Sequence, residues 1–437
     1  MIIGLIAISS DASSDAYDGI RDGIENSIRD VGMNTKPIAI VGAGPTGATL
    51  GLLLAERGLP VVVIEASRNF RRVFRGEGLM PSGLEALDQM GLSELVEQVP
   101  NQTIGSWEFV IEGRSIFSVD EPMGNNLPCT LVAQPQLLEA VIDRAKAFPN
   151  FRFISGETVQ SLITENDRIS GCTLSNGEMI QTALVIGCDG RSSAIRKLSG
   201  LTLNQDTKPF NVVWFKLPDT DLIPQSNPFT IFVKGEAVFS LFRSSEGLIQ
   251  VGWSVQNEDW KSVTDWSETL ALASPPWLAD YFRSQNVVEA IPDRPLCLTV
   301  TVGHAPQWST PGCLLLGDAA HPMSPIRAQG INMALRDAIV AANYLVEAWR
   351  SAEDQSLISI FDRALLQIQA DREPEIHQIQ SLQAQEAADG MKLHRSAALR
   401  NLVKTLAPIV GIALREKWKL RQRKLRSGVA VVKLSKF

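Results

Sequence analysis

The chain has 437 residues, of which 45% are hydrophobic and 20% charged, with a formal net charge of −7. That is enough apolar material for a sizeable core and excludes a largely disordered chain, while five scattered cysteines without a C-x-x-C pair and only four histidines indicate neither a disulfide scaffold nor a zinc site. Residues 391–437 hold thirteen Lys or Arg against one acid, Glu416, which leaves the other 390 residues at −19, a balance unlike that of a nucleic-acid binder.

In chain order, residues 1–35 come first. Their apolar start lacks a positive n-region and turns acidic at once, so the stretch reads as an extension outside the fold. No apolar run is long enough to cross a bilayer, and the cysteine usage points to a reducing compartment, the cytoplasm. Lys36–Val41 is strand-like, Pro45–Arg57 is an Ala/Leu-rich helix closed by Gly58, and Val61–Glu65 is the next strand, a βαβ opening. A loop and helix cover 76–99, Trp107 to Val119 alternates like a hairpin, 134–148 is helical, and 151–188 reads as strands with turns.

From 209 to 305 the texture changes to β-branched and aromatic runs separated by Pro and Gly turns, and six of the nine tryptophans fall between Trp214 and Trp308. The first texture returns at Cys313–Asp318 and in a long helix from about Gly330 to Ser351. The organisation expected is therefore α/β: a Rossmann-like domain made of 36–208 plus 306–365, with a mostly antiparallel sheet domain, 209–305, inserted into it. Part of 100–133 is expected to face that second domain, and 366–437 to form a helical, basic C-terminal region.

The segment Gly42-Ala43-Gly44-Pro45-Thr46-Gly47 follows a strand and opens a helix. Glu65, followed by Ala66, ends the next strand eighteen residues past the last glycine. The glycines permit a tight turn and close approach of backbone to a pyrophosphate at the helix N-terminus, and Glu65 is placed to accept from adenosine ribose hydroxyls. The fingerprint alone leaves NAD and FAD open.

Two further motifs bear on that choice: Gly187-Cys188-Asp189-Gly190-Arg191-Ser192-Ser193-Ala194-Ile195-Arg196, and Gly317-Asp318-Ala319-Ala320-His321-Pro322 continuing through Pro325, Gln329-Gly330 and Asn332 to Asp337-Ala338. With these, the chain resembles the class A flavoprotein monooxygenases, the para-hydroxybenzoate hydroxylase-like family, over about residues 36–370. The resemblance implies an FAD-binding domain and a β-sheet substrate domain. It implies FAD reduced by NADPH or NADH, reaction with O2, and hydroxylation or epoxidation of an apolar, aromatic or phenolic small molecule through a C4a-hydroperoxyflavin. The alternative kept beside it is a reductase or dehydrogenase of the same fold without oxygen insertion.

The residues implied to hold FAD are Gly42, Gly44, Pro45, Thr46, Gly47, Glu65, Ala66, Arg75, Gln134, Asp189, Gly317, Asp318, Ala328, Gly330, Ile331 and Asn332. The loop nearest the flavin is Pro325, Ala328, Gln329 and Gly330, and no protein nucleophile or base is singled out. The family usually has glycine where this chain has Ala328, so a methyl fits there only with the backbone at negative φ. Arg191 and Arg196 either support phosphates or brace their own loop, and His321 is expected to pack and hydrogen-bond. Trp214, Phe232, Phe239 and Trp253, with Phe215 and Phe242, are candidates to line the substrate pocket, or else alternate inward as sheet core. The C-terminal text, 406–426, reads either as a helix packed on the acidic body or as a peripheral contact with an anionic membrane, followed by a short strand Val429–Leu434.

Overall fold

The first structural decision is made by runs of apolar residues too continuous for a half-exposed strand. Ile38–Val41, Val61–Glu65 and Leu184–Gly187 are buried along their whole length, as strands with both faces covered must be. In the computed structural model, which describes residues 36–70, 77–124, 127–205, 211–255, 258–292, 294–351 and 357–436, these strands form the centre of a six-stranded sheet. Its order is Ser309–Thr310, Cys313–Leu315, Leu184–Gly187, Ile38–Val41, Val61–Glu65 and Phe151–Ser155. All pairings are parallel except that of the first two strands. The acidic extension, 1–35, lies outside the described residues.

The crossover from Ile38–Val41 to Val61–Glu65 is the helix Pro45–Glu56, with proline in its first turn where a missing N–H costs nothing. It packs on the sheet through Gly51, where a Cβ would meet Val63 Cγ2 at 2.8 Å. On the same layer lies the helix Gln329–Ser351, an amphipathic element whose buried face includes Met333, Leu335, Ile339, Leu345 and Val346.

The second sheet has seven strands in the order Leu296–Thr299, Asn211–Leu217, Ile249–Val255, Ala237–Arg243, Pro228–Lys234, Ser106–Ile111 and Arg114–Asp120. The hairpin 106–120 therefore does more than face the second domain: it completes that domain's sheet. Pro228–Lys234 would otherwise be an open edge, and Ser106–Ile111 pairs parallel to it over six residues. Buried Asn227 fixes the junction, donating to Thr103 O and Arg243 O and accepting from the Arg243 N–H. Three helices within the inserted segment, Trp266–Ala273, Pro276–Arg283 and Gln285–Ala290, cover one face of the sheet.

The C-terminal region is helical: Leu357–Arg395, Ala397–Thr405 and Ala407–Ser427, the last two meeting at 103°. Among the described residues no single helix is long and apolar enough to cross a membrane. The expected strand Val429–Leu434 does not form. Side chains take its backbone groups instead: Glu375 accepts from the Val429 N–H, Gln89 bonds Val432 O and the Leu434 N–H, and Asn343 donates to Lys433 O.

Candidate active site

The three motifs, far apart in sequence, meet at the carboxyl ends of the parallel strands. Gly42 has φ +99°, and a Cβ there would lie 2.5 Å from Cys188 O, so the first loop is pressed against the second motif. Gly317, at φ +59°, approaches Thr46 so closely that a Cβ would lie 2.5 Å from its hydroxyl, which brings in the third. Gly44 by contrast faces open space, and its helix starts with no side-chain cap and no acid in the first turn. An uncapped helix N-terminus beside a glycine that leaves room for a ligand fits a pyrophosphate.

Glu65 is buried and accepts from the N–H groups of Ala43 and Ser67 at 2.9 and 2.8 Å, which fixes its carboxylate against the glycine loop; Ala66 beside it is exposed. Asp189 caps the helix Ala194–Leu198, accepting from Ala194 N, Ile195 N and the Ser193 hydroxyl. Any contact it makes with a cofactor comes on top of that role. Arg196 is buried and donates to Ala319 O and Arg191 O, so it braces the second motif against the third. Gln134 is buried at the start of the helix Gln134–Ala145, not on the surface. Arg75 lies outside the described residues.

Asp318 is exposed just past the strand Cys313–Leu315, with Oδ1 3.7 Å from where a Cβ on Gly330 would be. Its neighbour in the motif, Asn332, is fully buried and wholly engaged. Its Oδ1 accepts from Met80 N at 2.9 Å, and its Nδ2 donates to Ala328 O and Gly78 O. Asn332 thus shapes the loop through its side chain by stapling Gly78–Met80 to Ala328.

The condition set for Ala328 is not met. Ala328 has φ +51° and Arg327 before it φ +58°, two consecutive left-handed residues without a glycine, at roughly 1–2 kcal/mol each. The Ala328 methyl would lie 2.9 Å from a Cβ on Gly78, so the glycine at 78 accommodates the methyl that glycine at 328 would have avoided. Buried Gln329 donates to Arg327 O, while its Oε1 has no partner among the described residues, leaving one acceptor at the start of the helix.

A chain of buried charges stands behind this loop. Asp337 accepts from Gly317 N at 3.1 Å, faces His321 Nε2 at 2.7 Å and pairs with Arg372 Nε at 2.7 Å. Arg372 also pairs with Glu375, which binds Arg336 Nη2 at 2.9 Å; that guanidinium reaches Ala430 O in the C-terminal segment. Burial pushes the Asp337 and Glu375 carboxyls up, but His321 and Arg372 for the first, and Arg372 and Arg336 for the second, hold both below the usual carboxylate range. His321 has the packing and hydrogen-bonding role expected of it. Burial also raises the thiols, Cys129 and Cys313 to about 12, so neither is a thiolate at neutral pH.

The substrate-pocket candidates divide by strand alternation. Phe232, Phe239 and Trp253, with Phe215, are buried against the helices 266–290 on the outer face of the second sheet, in a stack that includes Trp266 and Phe282. They are core and do not line a pocket at the loop. Trp214 and Phe242 point to the inner face, where they join Met80, Trp107, Leu131, Phe229 and Trp418. Sequence reasoning missed Trp107, Trp418 and three polar groups there. Arg327 lies over the Trp107, Trp418 and Phe109 rings at 4.7, 4.9 and 5.7 Å and pairs with Glu386. Glu77, buried, accepts from Ser245 N, Ser245 Oγ and Gln250 Nε2, tying the segment before Gly78 to the second sheet. Period-two alternation carries the signal for Phe242 over Phe239, but only once the register and the covered face are known.

A mostly parallel sheet with a glycine loop shaped for a dinucleotide, joined to an inserted sheet that brings aromatics to the third motif, is the frame of a dinucleotide-dependent oxidoreductase. The comparisons specify it further. Residues 35–370 match the FAD binding domain family, and the chain belongs to it. The chain is 30% identical over 375 residues to 6-methylpretetramide 4-monooxygenase of Streptomyces rimosus, covering 83% of this chain and 86% of that one. It is 24% identical to kynurenine 3-monooxygenase of Dictyostelium discoideum over 74% and 71% of the two chains. Among solved structures, P. aeruginosa PqsL in complex with 2-aminobenzoylacetate has the same fold, with a TM-score of 0.69 at 20% identity over 85% of this chain and 99% of that one. The protein is an FAD-dependent monooxygenase, and the reading without oxygen insertion finds no support among these relatives.

Proposed function

We propose that the protein hydroxylates an electron-rich aromatic small molecule held between the loop Pro325–Gly330 and the inner face of the second sheet, with NADPH or NADH as reductant. The observation that carries this reading is the aromatic inner face, where Trp214, Phe242 and Phe229 cluster with Trp107 and the Trp107 ring lies against Arg327 of the loop. Apolar walls with a few fixed polar groups are what small-molecule sites are made of, and domain interfaces are where they form. The relatives named as a 4-monooxygenase of a pretetramide and a 3-monooxygenase of kynurenine support an aromatic substrate.

FAD, when bound, supplies acceptance of hydride and activation of O2. The chain's own residues bind, orient and exclude water. Gly42, Gly44, Pro45, Thr46 and Gly47 would cradle the pyrophosphate, with Arg75 and Gln134 beside it, and Glu65 and Ala66 would meet the adenosine ribose. Asp318 would accept from the ribityl chain, Gly317 and Asp189 would shape its surroundings, and Gly330 and Ile331 would present helix N–H groups to the ring edge. The aromatic wall keeps the site dry, which strengthens every polar contact inside it.

The test is incubation of the holoenzyme with 18O2, NADPH and a panel of phenols and fused aromatic ketones. One labelled oxygen in the product per NADPH consumed is the expected result. Coenzyme oxidation that yields only hydrogen peroxide with every ring compound would sink the aromatic reading.

A peripheral membrane contact has its own support. At the elbow between Ala397–Thr405 and Ala407–Ser427, Leu402, Ile409 and Ile412 are more than half exposed. Such an apolar corner beside cations suits an anionic bilayer surface. Co-sedimentation with phosphatidylserine vesicles, lost in Ile409→Asp with Ile412→Asp, is the expected outcome; an otherwise cytoplasmic enzyme that stays in the supernatant overturns it.

A further inference from the structure

The last helix carries a second concave surface. Arg415, Lys419 and Arg423 recur every four residues along Ala407–Ser427 and therefore share a face. That face lies across the strand Arg114–Asp120 and the turn Pro122–Gly124, and the elements enclose a groove of about 590 Å³. The size is that of an organic-ligand site. Val119, Pro122 and Met123 supply apolar lining, and Asp120 is the one acid in it.

The cations here are not all committed. Arg426 is buried and held by Glu121 and Leu127 O, so it belongs to the scaffold. Arg415 and Lys419 share Glu416 at 3.1 and 3.3 Å, but all three side chains are well exposed, and pairs of that kind exchange partners at little cost. Arg423 is exposed and makes no ion pair among the described residues. Against a body of −19, this groove offers a polyanion concentrated positive charge in a concave setting.

Its position adds the second argument. Trp418, next to Lys419 in the chain, turns inward to stack near Trp107 and Arg327, and Arg327 immediately precedes Ala328 in the flavin-proximal loop. Val119 and Met123 line the groove and also belong to the aromatic cluster on the inner face of the second sheet. Val119, Met123 and Trp418 therefore set the groove directly against the cluster that holds Arg327, the residue before Ala328.

We propose that this groove binds the diphosphate-bearing half of the nicotinamide dinucleotide that reduces the flavin. The inference rests on the monooxygenase reading, which requires such a reductant, while the glycine loop at Gly42–Gly47 is taken by FAD. The groove supplies what a dinucleotide needs outside a Rossmann site: several exposed cations for the phosphates and apolar lining from Val119, Pro122 and Met123. A 2′-phosphate adds charge, so NADPH binds more tightly than NADH.

The experiment uses the FAD-loaded enzyme and the double variant Lys419→Glu with Arg423→Glu, titrated at equilibrium with NADP+ and with NAD+. It is followed by anaerobic stopped-flow reduction with NADPH. The double variant is expected to raise Kd for NADP+ by about tenfold or more, leaving the FAD content and the reduction rate at saturation unchanged. Asp120→Asn should lower Kd by roughly twofold, since it removes the groove's acid. For the wild type, Kd should rise between about 50 and 200 mM KCl, and the double variant should lose most of that slope. An unchanged Kd in both variants overturns the proposal. So does loss of binding to phosphatidylserine vesicles with coenzyme Kd intact, which would assign the groove to a lipid surface. A wild-type enzyme reduced by neither coenzyme would remove the underlying reading as well, and is distinguishable because it appears before any variant is made.

Discussion

The two faces of the seven-stranded sheet are built from the same strands and the same kinds of residue, yet they do different work. On the outer face Phe239 stacks between Phe232 and Trp253 and meets Phe282 edge-on, sealed under helices. On the inner face Trp214 and Phe242 cluster with Trp107, whose ring meets Arg327 of the loop that also carries Ala328. One residue of register separates core from the proposed substrate wall. Aromatic content in a strand therefore says that a face is buried, and only the partner of that face says whether the burial is structural or functional.

The largest expected effect tests the outer face. Phe239→Ala should destabilise the protein by about 3–5 kcal/mol in urea unfolding and leave KM for the aromatic substrate unchanged, because the cavity opens away from the loop. A raised KM with normal stability would break the comparison.

The inner side is backed by charges, and Asp337→Asn should cost about 3 kcal/mol by leaving Arg372 and His321 facing a neutral group. Asp337 and Glu375 are depressed from ordinary values of 3.8 and 4.5, so the stability they contribute is complete above those values and lost as pH falls through the lower folded ones. Thermal melts should therefore show the wild type losing stability below about pH 4.5, with a shallower acid slope in Asp337→Asn. An outer-face variant should keep the wild-type slope.

Trp214→Ala sharpens the contrast from the other direction. It should lower kcat/KM by about tenfold, equivalent to ~1.4 kcal/mol, and release more hydrogen peroxide per NADPH, with a smaller stability loss than Phe239→Ala. The smallest effect belongs to the loop itself. Ala328→Gly relieves a left-handed alanine and gains about 1 kcal/mol, less the added freedom of the unfolded chain, read as a modest rise in Tm.

The βαβ opening, the discontinuous first domain, the inserted sheet and the helical tail were all legible in the sequence. Glycine spacing, continuous apolar strands and changes of texture are local properties of the chain. The three motifs were legible for a related reason: each needs its own backbone geometry, and that geometry demands Gly42, Gly187 and Gly317 where they stand. The aromatic wall was half legible, since Trp214 and Phe242 belonged to a set from which Phe232, Phe239 and Trp253 could not be separated.

What only the tertiary structure decided were the long-range pairings. The hairpin 106–120 joined the second sheet because the edge strand Pro228–Lys234, far along the chain, needed a partner. Val429–Leu434 has the composition of a strand, yet no strand edge pairs with it, and side chains of Gln89, Asn343 and Glu375 bond its backbone instead. Asn332 proved to be a staple and Arg327 a caged cation for the same reason. A side chain's role depends on which polar groups and rings the fold brings within a few ångströms, and no local pattern encodes that.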